Sequence, residues 1–475
     1  MIGWSIMQWG RSTRRIVLLS VAVVVLGCSS EAVPTASPTE ALVLCDPAPS
    51  DDAPTPEAGA AMVHHYCMAL RLQPSPGWEQ IVRILVLGDQ GTNPLAGRSV
   101  LVFHPGGPGI SAVDVLKAGA PEVDYSRYVV MTWDGVTAGN GSGACGPKTI
   151  DFLTERTTDD FAQLADEVGH ECEGGFGSNT DIGAWEAADE LETIRVQLGI
   201  SSFDFLGISY GTAIGEAYLR VYPGNVRRAV LDAPVGLEVP WRDRLEYVGP
   251  VLRAGANRLA MSCDVPECKE ILDGQAVADA YTALREAVLA KRPQVGSGGI
   301  TLTPIMFDQA TELALRSQSY WPGYWQAVGE ALNGDGSALW RVGERSYLDL
   351  DRQAFYWSIC ADIDRPSKAA DFVPADTDPL TFAFASELAP CAGLPAGVPR
   401  PRASADGGAP DVLIVASTAD VLAPSSLLVA SPFLRAVGRV CTTNVVGHTS
   451  YADPQIRGAL IDFLEGDADG IPGIC

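Results

Sequence analysis

Gly207-Ile208-Ser209-Tyr210-Gly211 fits the pattern Gly-x-Ser-x-Gly, a serine held between two glycines. A serine hydroxyl is a poor nucleophile near neutral pH; it needs a base within reach and a third group to orient that base. The chain has only five histidines. His64 and His65 sit beside a Pro- and Ala-rich stretch, His104 adjoins a glycine turn, and His170 lies in an acidic run. His448, in Val446-Gly447-His448-Thr449, is the expected base. Asp420, in Ser417-Thr418-Ala419-Asp420, is the expected acid, with Asp232 as its rival. Acyl transfer through such a set also needs backbone donors for the developing oxyanion. The N–H of Tyr210 is one expected donor. The other is placed at Gly107, in His104-Pro105-Gly106-Gly107-Pro108-Gly109.

The elements around these residues explain how they meet. Phe203, Phe205, Leu206 and Ile208 read as a buried strand running into Ser209, and Thr212 to Tyr222 reads as a helix leaving it. A serine on so sharp a strand-to-helix turn projects its hydroxyl from the top of a sheet. Val100–Phe103 reads as a strand entering the glycine turn, and Tyr128–Trp133 as a strand ending at Asp134. Val226–Leu231 closes at Asp232, and Val412–Ala416 precedes Asp420. Between 184 and 198, Trp185, Ala188, Leu191, Ile194 and Leu198 fall on one helical face. Strands alternating with helices predict an α/β chain with a mostly parallel sheet covered on both faces.

After about residue 240 the pattern becomes helical, with stretches such as Ala276–Leu289 and Tyr324–Leu332. Aromatic clusters (Tyr320, Trp321, Tyr324, Trp325; Phe355, Tyr356, Trp357) are expected mostly to pack this segment's own core. A Pro/Gly-rich linker, Gly393–Pro410, leads back to strand character, and Ile456–Leu464 reads as a terminal helix. The expected organisation is a signal peptide at 1–27, a disordered tether at 28–61, an α/β core at 62–240, a helical cap insertion at 241–405 and the rest of the core at 406–475.

The formal net charge is −25, so nucleic acid is excluded as a partner on electrostatic grounds. Arg11, Arg14 and Arg15 precede an apolar run, Ile16–Gly27, that is too short to span a bilayer comfortably. It ends in Val25-Leu26-Gly27-Cys28, which resembles the lipobox of bacterial lipoproteins; the resemblance implies lipidation of Cys28, with plain secretion as the alternative. Membrane contact is expected through that lipid alone. Of eleven cysteines, Cys45, Cys67, Cys145, Cys172, Cys263, Cys268, Cys360, Cys391, Cys441 and Cys475 then remain. An even set in an exported chain implies disulfides. Neighbour pairing (45–67, 145–172, 263–268, 360–391, 441–475) is the expectation, although sequence does not fix connectivity. No Cys/His cluster has zinc spacing, so no metal is expected, and no cofactor.

Taken together, these motifs resemble the α/β-hydrolase serine aminopeptidases, among them proline iminopeptidases and actinobacterial tripeptidyl aminopeptidases. The resemblance spans most of the chain after the tether. It rests on His104–Gly109, Trp133-Asp134, the helix from Ala187 to Gly199, Gly207–Thr212, Tyr222-Pro223 and Val230-Leu231-Asp232. Ile359-Cys360-Ala361-Asp362, Thr418-Ala419-Asp420 and Gly447-His448-Thr449 continue it. The order Ser209, Asp420, His448 is the one such hydrolases use. The resemblance implies an α/β-hydrolase fold and an exopeptidase acting on the free amino terminus of short peptides beneath a helical cap. One departure concerns specificity: where the family usually has Arg-Gly-x-Gly-x-Ser, Gly135–Cys145 contains no arginine. A substrate ammonium needs carboxylates near the pocket, and Glu238, Asp362 and other acids of the helical insertion are candidates. A carboxylesterase on the same machinery is the alternative, and a non-catalytic binding lipoprotein a further one.

Overall fold

The computed structural model describes residues 43–44, 64–75, 78–88, 95–138, 145–173, 182–297, 299–348, 350–394 and 410–467. Residues 1–27, Cys28, Cys45, Cys475 and most of the 28–61 stretch lie outside these, as do residues 139–144 of the Gly135–Cys145 loop. In chain order the elements are β1 (Val43–Leu44), β2 (His64–Ser75), β3 (Trp78–Gly88), β4 (Ser99–His104), α1 (Ala112–Ala118), β5 (Tyr128–Asp134), α2 (Pro147–Glu155), α3 (Phe161–Glu173) and α4 (Ala184–Gln197). There follow β6 (Phe203–Ile208), α5 (Tyr210–Val221) and β7 (Val226–Asp232). A long helical segment comes next: α6 (Trp241–Met261), α7 (Pro266–Leu272), α8 (Ala280–Ala290), the small hairpin β8 (Gln294–Val295) and β9 (Ile300–Thr301), α9 (Pro304–Arg316), α10 (Trp321–Leu332), α11 (Ser337–Leu348), α12 (Arg352–Asp362) and α13 (Pro379–Glu387). The chain returns to the sheet with β10 (Asp411–Ser417), α14 (Pro432–Val437), β11 (Arg439–Thr443) and α15 (Pro454–Glu465).

The main sheet has nine strands in the order β1-β2-β3-β5-β4-β6-β7-β10-β11. From β5 to β11 every neighbouring pair is parallel, whereas β1, β2 and β3 join antiparallel. Strands covered on both faces are apolar for most of their length, and Asp204, the buried charge in β6, is paired with Arg227. β5 is buried along its whole length, and so is β6. Successive residues feed opposite faces: Val100 and Val102 pack into one core, and Leu101 and Phe103 into the other beneath α1 and α15.

The structure departs from the sequence expectation at the amino-terminal edge. Val43 and Leu44, within the stretch read as tether, pair with Cys67 and Tyr66 on β2. β2 and β3 form a long antiparallel hairpin that precedes the first strand read from sequence. Two apolar residues with open backbone groups beside a strand edge gain a ladder there, whatever the composition around them.

Three disulfides are described, Cys145–Cys172, Cys263–Cys268 and Cys360–Cys391. Cys67 and Cys441 are also disulfide-bonded, but the expected pairings 45–67 and 441–475 involve cysteines outside the described residues. Structural bridges of this kind persist in oxidising compartments, and they indicate an extracytoplasmic chain. No described helix is long and apolar enough to cross a membrane. Nor does any group of His, Cys, Asp and Glu among the described residues have an arrangement fit to hold a metal ion.

Candidate active site

Ser209 sits between β6 and α5 with φ +55°, a conformation unusual for a residue with a side chain. Two glycines allow it. A Cβ on Gly211 would run into the carbonyl of His104, and one on Gly106 (φ +105°) would lie 2.6 Å from the carbonyl oxygen of Ile208. Ser209 is pinned from both sides of the chain. Its N–H donates to the Asp232 carbonyl at 2.9 Å, and its carbonyl accepts the Thr212 hydroxyl at 2.5 Å. Strain held by surrounding bonds in this way is typical of functional turns.

The fold brings His448 and Asp420 to this turn. His448 Nε2 lies 2.7 Å from Ser209 Oγ, and Nδ1 lies 3.0 Å from both carboxylate oxygens of Asp420. With Nδ1–H donated to the carboxylate, Nε2 is the acceptor facing the serine hydroxyl. Asp420 is fully buried and also accepts N–H groups of Leu422 (2.9 Å), Ala423 (3.0 Å) and Thr449 (3.3 Å). Burial pushes its pKa up, but the His448 imidazole and these hydrogen bonds outweigh that, so the carboxyl lies below the usual range. The His448 loop is held in turn by α9, whose last residue, Arg316, accepts the His448 N–H on its carbonyl at 2.7 Å.

Asp232, the rival acid, has a different employment. Its oxygens accept the N–H groups of Ser450 (3.1 Å) and Tyr451 (2.8 Å), directly after the His448 loop. Burial raises its pKa to about 6. A carboxyl raised on folding stabilises the native state fully below its unfolded value, about 3.9, and loses that contribution as pH rises through the folded value. The stability difference between Asp232→Asn and the parent should therefore move in the variant's favour, by on the order of 2–3 kcal/mol, as pH rises from about 4 to 7. Thermal unfolding of both proteins across that range checks it; a pH-independent gap would refute the assignment.

His104 is buried, and burial lowers its pKa to about 4. The neutral ring accepts the Gly106 N–H on Nδ1 at 3.2 Å and packs edge-on against Trp133, 5.2 Å between centroids. Asp134 accepts from the Ser111 hydroxyl (2.8 Å) and the Val113 N–H (3.1 Å) and pairs with Arg83, tying the glycine turn and α1 to β5. Buried Glu190, on α4, holds Trp133 Nε1 and the Val136 N–H. Thr137, in the loop that departs from the family pattern, accepts the Gly109 N–H at 2.7 Å.

These residues open onto one cavity of about 350 Å³. Gly107, Ser209, Tyr210 and His448 line it from the sheet side; Trp241, Leu350, Phe355, Ile359, Phe384 and Leu388 line it from the helical segment, which thereby forms a cap. Most of the lining is apolar, with Arg244, Glu312, Arg316, Asp362 and Glu387 as its charged members. Of the other cap aromatics, Tyr324, Trp325, Tyr356 and Trp357 are buried in its core.

Of the two carboxylates proposed from sequence, Glu238 does not line the cavity; it pairs with Arg220 at 2.9 Å. Asp362 does line it, with its oxygens engaged by Tyr210 and Ala184. Sequence reading did not single out Glu312 and Glu387 among the acids of the insertion. Glu312 takes Arg316 on one oxygen (2.9 Å), and Glu387 takes Arg352 (2.6 Å). Among the described residues, the second oxygen of each makes no hydrogen bond. The i,i+4 spacing of Glu312 and Arg316 was a visible signal, but it read equally well as a solvated helix face.

A family model for the alpha/beta hydrolase fold matches residues 99–283. The sheet order and the serine turn agree with it, and the chain has the α/β-hydrolase fold. Serine, histidine and aspartate gather at that turn in the arrangement a serine hydrolase needs, and the chain is distantly similar to peptidases. Serine protease Hip1 of Mycobacterium tuberculosis is 24% identical over 280 residues, 54% of this chain and 54% of that protein. The chain thus spans about half the length of the curated relatives it matches first. Tripeptidyl aminopeptidase of Streptomyces lividans is 42% identical over 60 residues, 13% of this chain and 11% of that protein. The solved proline iminopeptidase of Mycobacterium smegmatis aligns with 84% of this chain and 98% of its own, at 15% identity and a TM-score of 0.35.

Proposed function

We propose that this protein is an aminopeptidase acting on short peptides with a free amino terminus, lipid-anchored through Cys28 outside the cytoplasm. The observation that carries the reading is the Ser209–His448–Asp420 chain of contacts at the floor of a capped cavity lined by three cap carboxylates, Glu312, Asp362 and Glu387. The relatives, a serine protease and a tripeptidyl aminopeptidase, support a peptide substrate. In this mechanism Ser209 Oγ attacks the scissile carbonyl carbon while His448 Nε2 takes its proton. The Tyr210 and Gly107 N–H groups receive the oxyanion. Collapse expels the leaving amine, which takes the proton from His448, and water releases the acyl group by the same steps in reverse order. Glu312 and Glu387 are assigned to the substrate ammonium in place of Glu238.

The test is a panel of free-amino-terminus peptide amides, their acetylated counterparts and nitrophenyl esters, with Ser209→Ala as control. Only the free peptides and simple esters should turn over. Equal cleavage of free and acetylated peptides would sink the exopeptidase reading. Glu312→Gln and Glu387→Gln should each raise KM for free peptides roughly tenfold or more, the worth of a charge-assisted hydrogen bond, and leave ester KM unchanged. The largely apolar lining supports a carboxylesterase as the second reading, and turnover of esters alone would select it.

A further inference from the structure

We propose that Asp362 is a positioning residue that couples the seating of the cap to the oxyanion donor at Tyr210. The proposal rests on the reading of Ser209 as nucleophile and the Tyr210 N–H as donor. Asp362 is the last residue of α12, a cap helix, yet among the described residues its hydrogen-bond partners belong to the core. Its two oxygens accept the N–H of Ala184 at 3.1 and 3.0 Å, at the first residue of α4. Oδ2 also accepts the Tyr210 hydroxyl at 2.5 Å. One carboxylate on the cap thus holds the amino terminus of a core helix and the side chain of the residue next to the nucleophile.

A carboxylate at the carboxyl end of its own helix opposes the helix dipole, so α12 gives it no support. The amino terminus of α4 does, since its N–H groups point at the anion. The charges acting most strongly on Asp362 are those of Glu186, on α4, and Glu216, on α5, both carboxylates. Burial raises its pKa to about 7, against the hydrogen bonds from Tyr210 and Ala184. Such a group is placed at a cost, and the structure fixes its carrier firmly. Cys360, two residues earlier, is bridged to Cys391, and Trp357 Nε1 donates to the Cys172 carbonyl at 3.0 Å.

Tyr210 is 2% exposed, so its ring cannot swing out to solvent, and the other hydroxyl beside it, that of Ser358, also belongs to α12. The peptide that carries its N–H is held at Ser209 by Asp232 and Thr212, and at the ring by Asp362. Lifting α12 removes the second hold. A cap that is not seated therefore leaves the donor less well aimed, and a donor misplaced by a fraction of an ångström loses much of its value in the transition state.

The experiment compares Tyr210→Phe, Asp362→Asn and the double variant with the parent on a free peptide amide and a nitrophenyl ester. A boronic acid that forms a tetrahedral adduct at Ser209 is titrated in parallel. Each single variant should lose about 10- to 100-fold in kcat on both substrates, below the full loss of an oxyanion donor. KM should stay within about twofold, and boronate affinity should fall by the same factor as kcat, as expected for a purely transition-state effect. The double variant should be no worse than the weaker single one, because both remove one contact. Multiplying losses, or a rise in KM at constant kcat, would overturn the proposal. If Asp362→Asn does not fold, Tyr210→Phe decides alone, and full activity of that variant refutes the coupling. Failure of the parent to label with a fluorophosphonate at Ser209 is a separate result, and it would reject the underlying hydrolase reading.

Discussion

Ser209→Ala is expected to lower kcat about 10⁶-fold, His448→Ala by nearly as much, and the double variant by no more than either alone. The geometry makes the two residues one unit. Among the described residues, the only polar side-chain atom within hydrogen-bond distance of Ser209 Oγ is His448 Nε2, at 2.7 Å. Without the imidazole the hydroxyl keeps its proton; without the hydroxyl the imidazole has nothing to activate. Residual turnover above water, on the order of 10³-fold, should survive in each variant, because the Tyr210 and Gly107 amides and the cavity are untouched. Burst kinetics with a nitrophenyl ester and fluorophosphonate labelling check this. A His448→Ala protein that labels at the parental rate would remove His448 as the base.

Why these two were legible in the sequence, and other site residues were not, follows from where the constraint lies. The serine turn is a local demand: φ +55° at Ser209 and a neighbour with no room for a Cβ at Gly211 require that residue pattern within five positions. The mostly apolar runs before Ser209, Asp232 and Asp420 are likewise local, because a strand buried on both faces is apolar at most of its positions. β6 and β7 accordingly start where the runs start. The cap residues obey no such rule. Glu312 is a charged position in the amphipathic helix α9 and Glu387 is the last residue of the largely apolar α13, and composition says nothing about whether either carboxylate meets solvent or a cavity. Glu238 shows the converse: it lies near the sheet in sequence, but Arg220, 18 residues before it, engages it first. The bond from Tyr210 to Asp362 spans 152 residues, and only the docking of cap on core creates it. The β2–β3 hairpin escaped for a related reason. His64–Ser75 has no sustained alternation, and its strand character comes from pairing with β3 rather than from its own pattern.

Asp420→Asn should reduce kcat about 10⁴-fold with little change in KM, because an amide cannot hold the imidazole in the required tautomer. The carboxylate takes Nδ1–H on both oxygens at 3.0 Å, and it faces the charge that His448 acquires in the transition state. An asparagine offers one acceptor oxygen and presents an N–H₂ to the remaining donors. It would also leave the N–H groups of Leu422, Ala423 and Thr449 competing for that oxygen. The parental carboxyl, lowered on folding, stabilises the native state above its unfolded value of about 3.9 and loses that contribution as pH falls through the folded value. The variant should therefore be less stable at pH 7 and approach the parent as both are acidified. Asp232→Asn provides the contrast. Its carboxylate bonds the Ser450 and Tyr451 N–H groups and has no recorded bond to the imidazole. Its loss should loosen the loop after His448 and cost roughly tenfold in kcat, well short of a lost tautomer. If the two variants lost equal activity, the acid would be shared between β7 and β10, and the assignment to Asp420 alone would fall. A loss confined to Asp420→Asn fixes the orienting carboxylate after β10, where the sheet order has already placed it one strand away from Asp232.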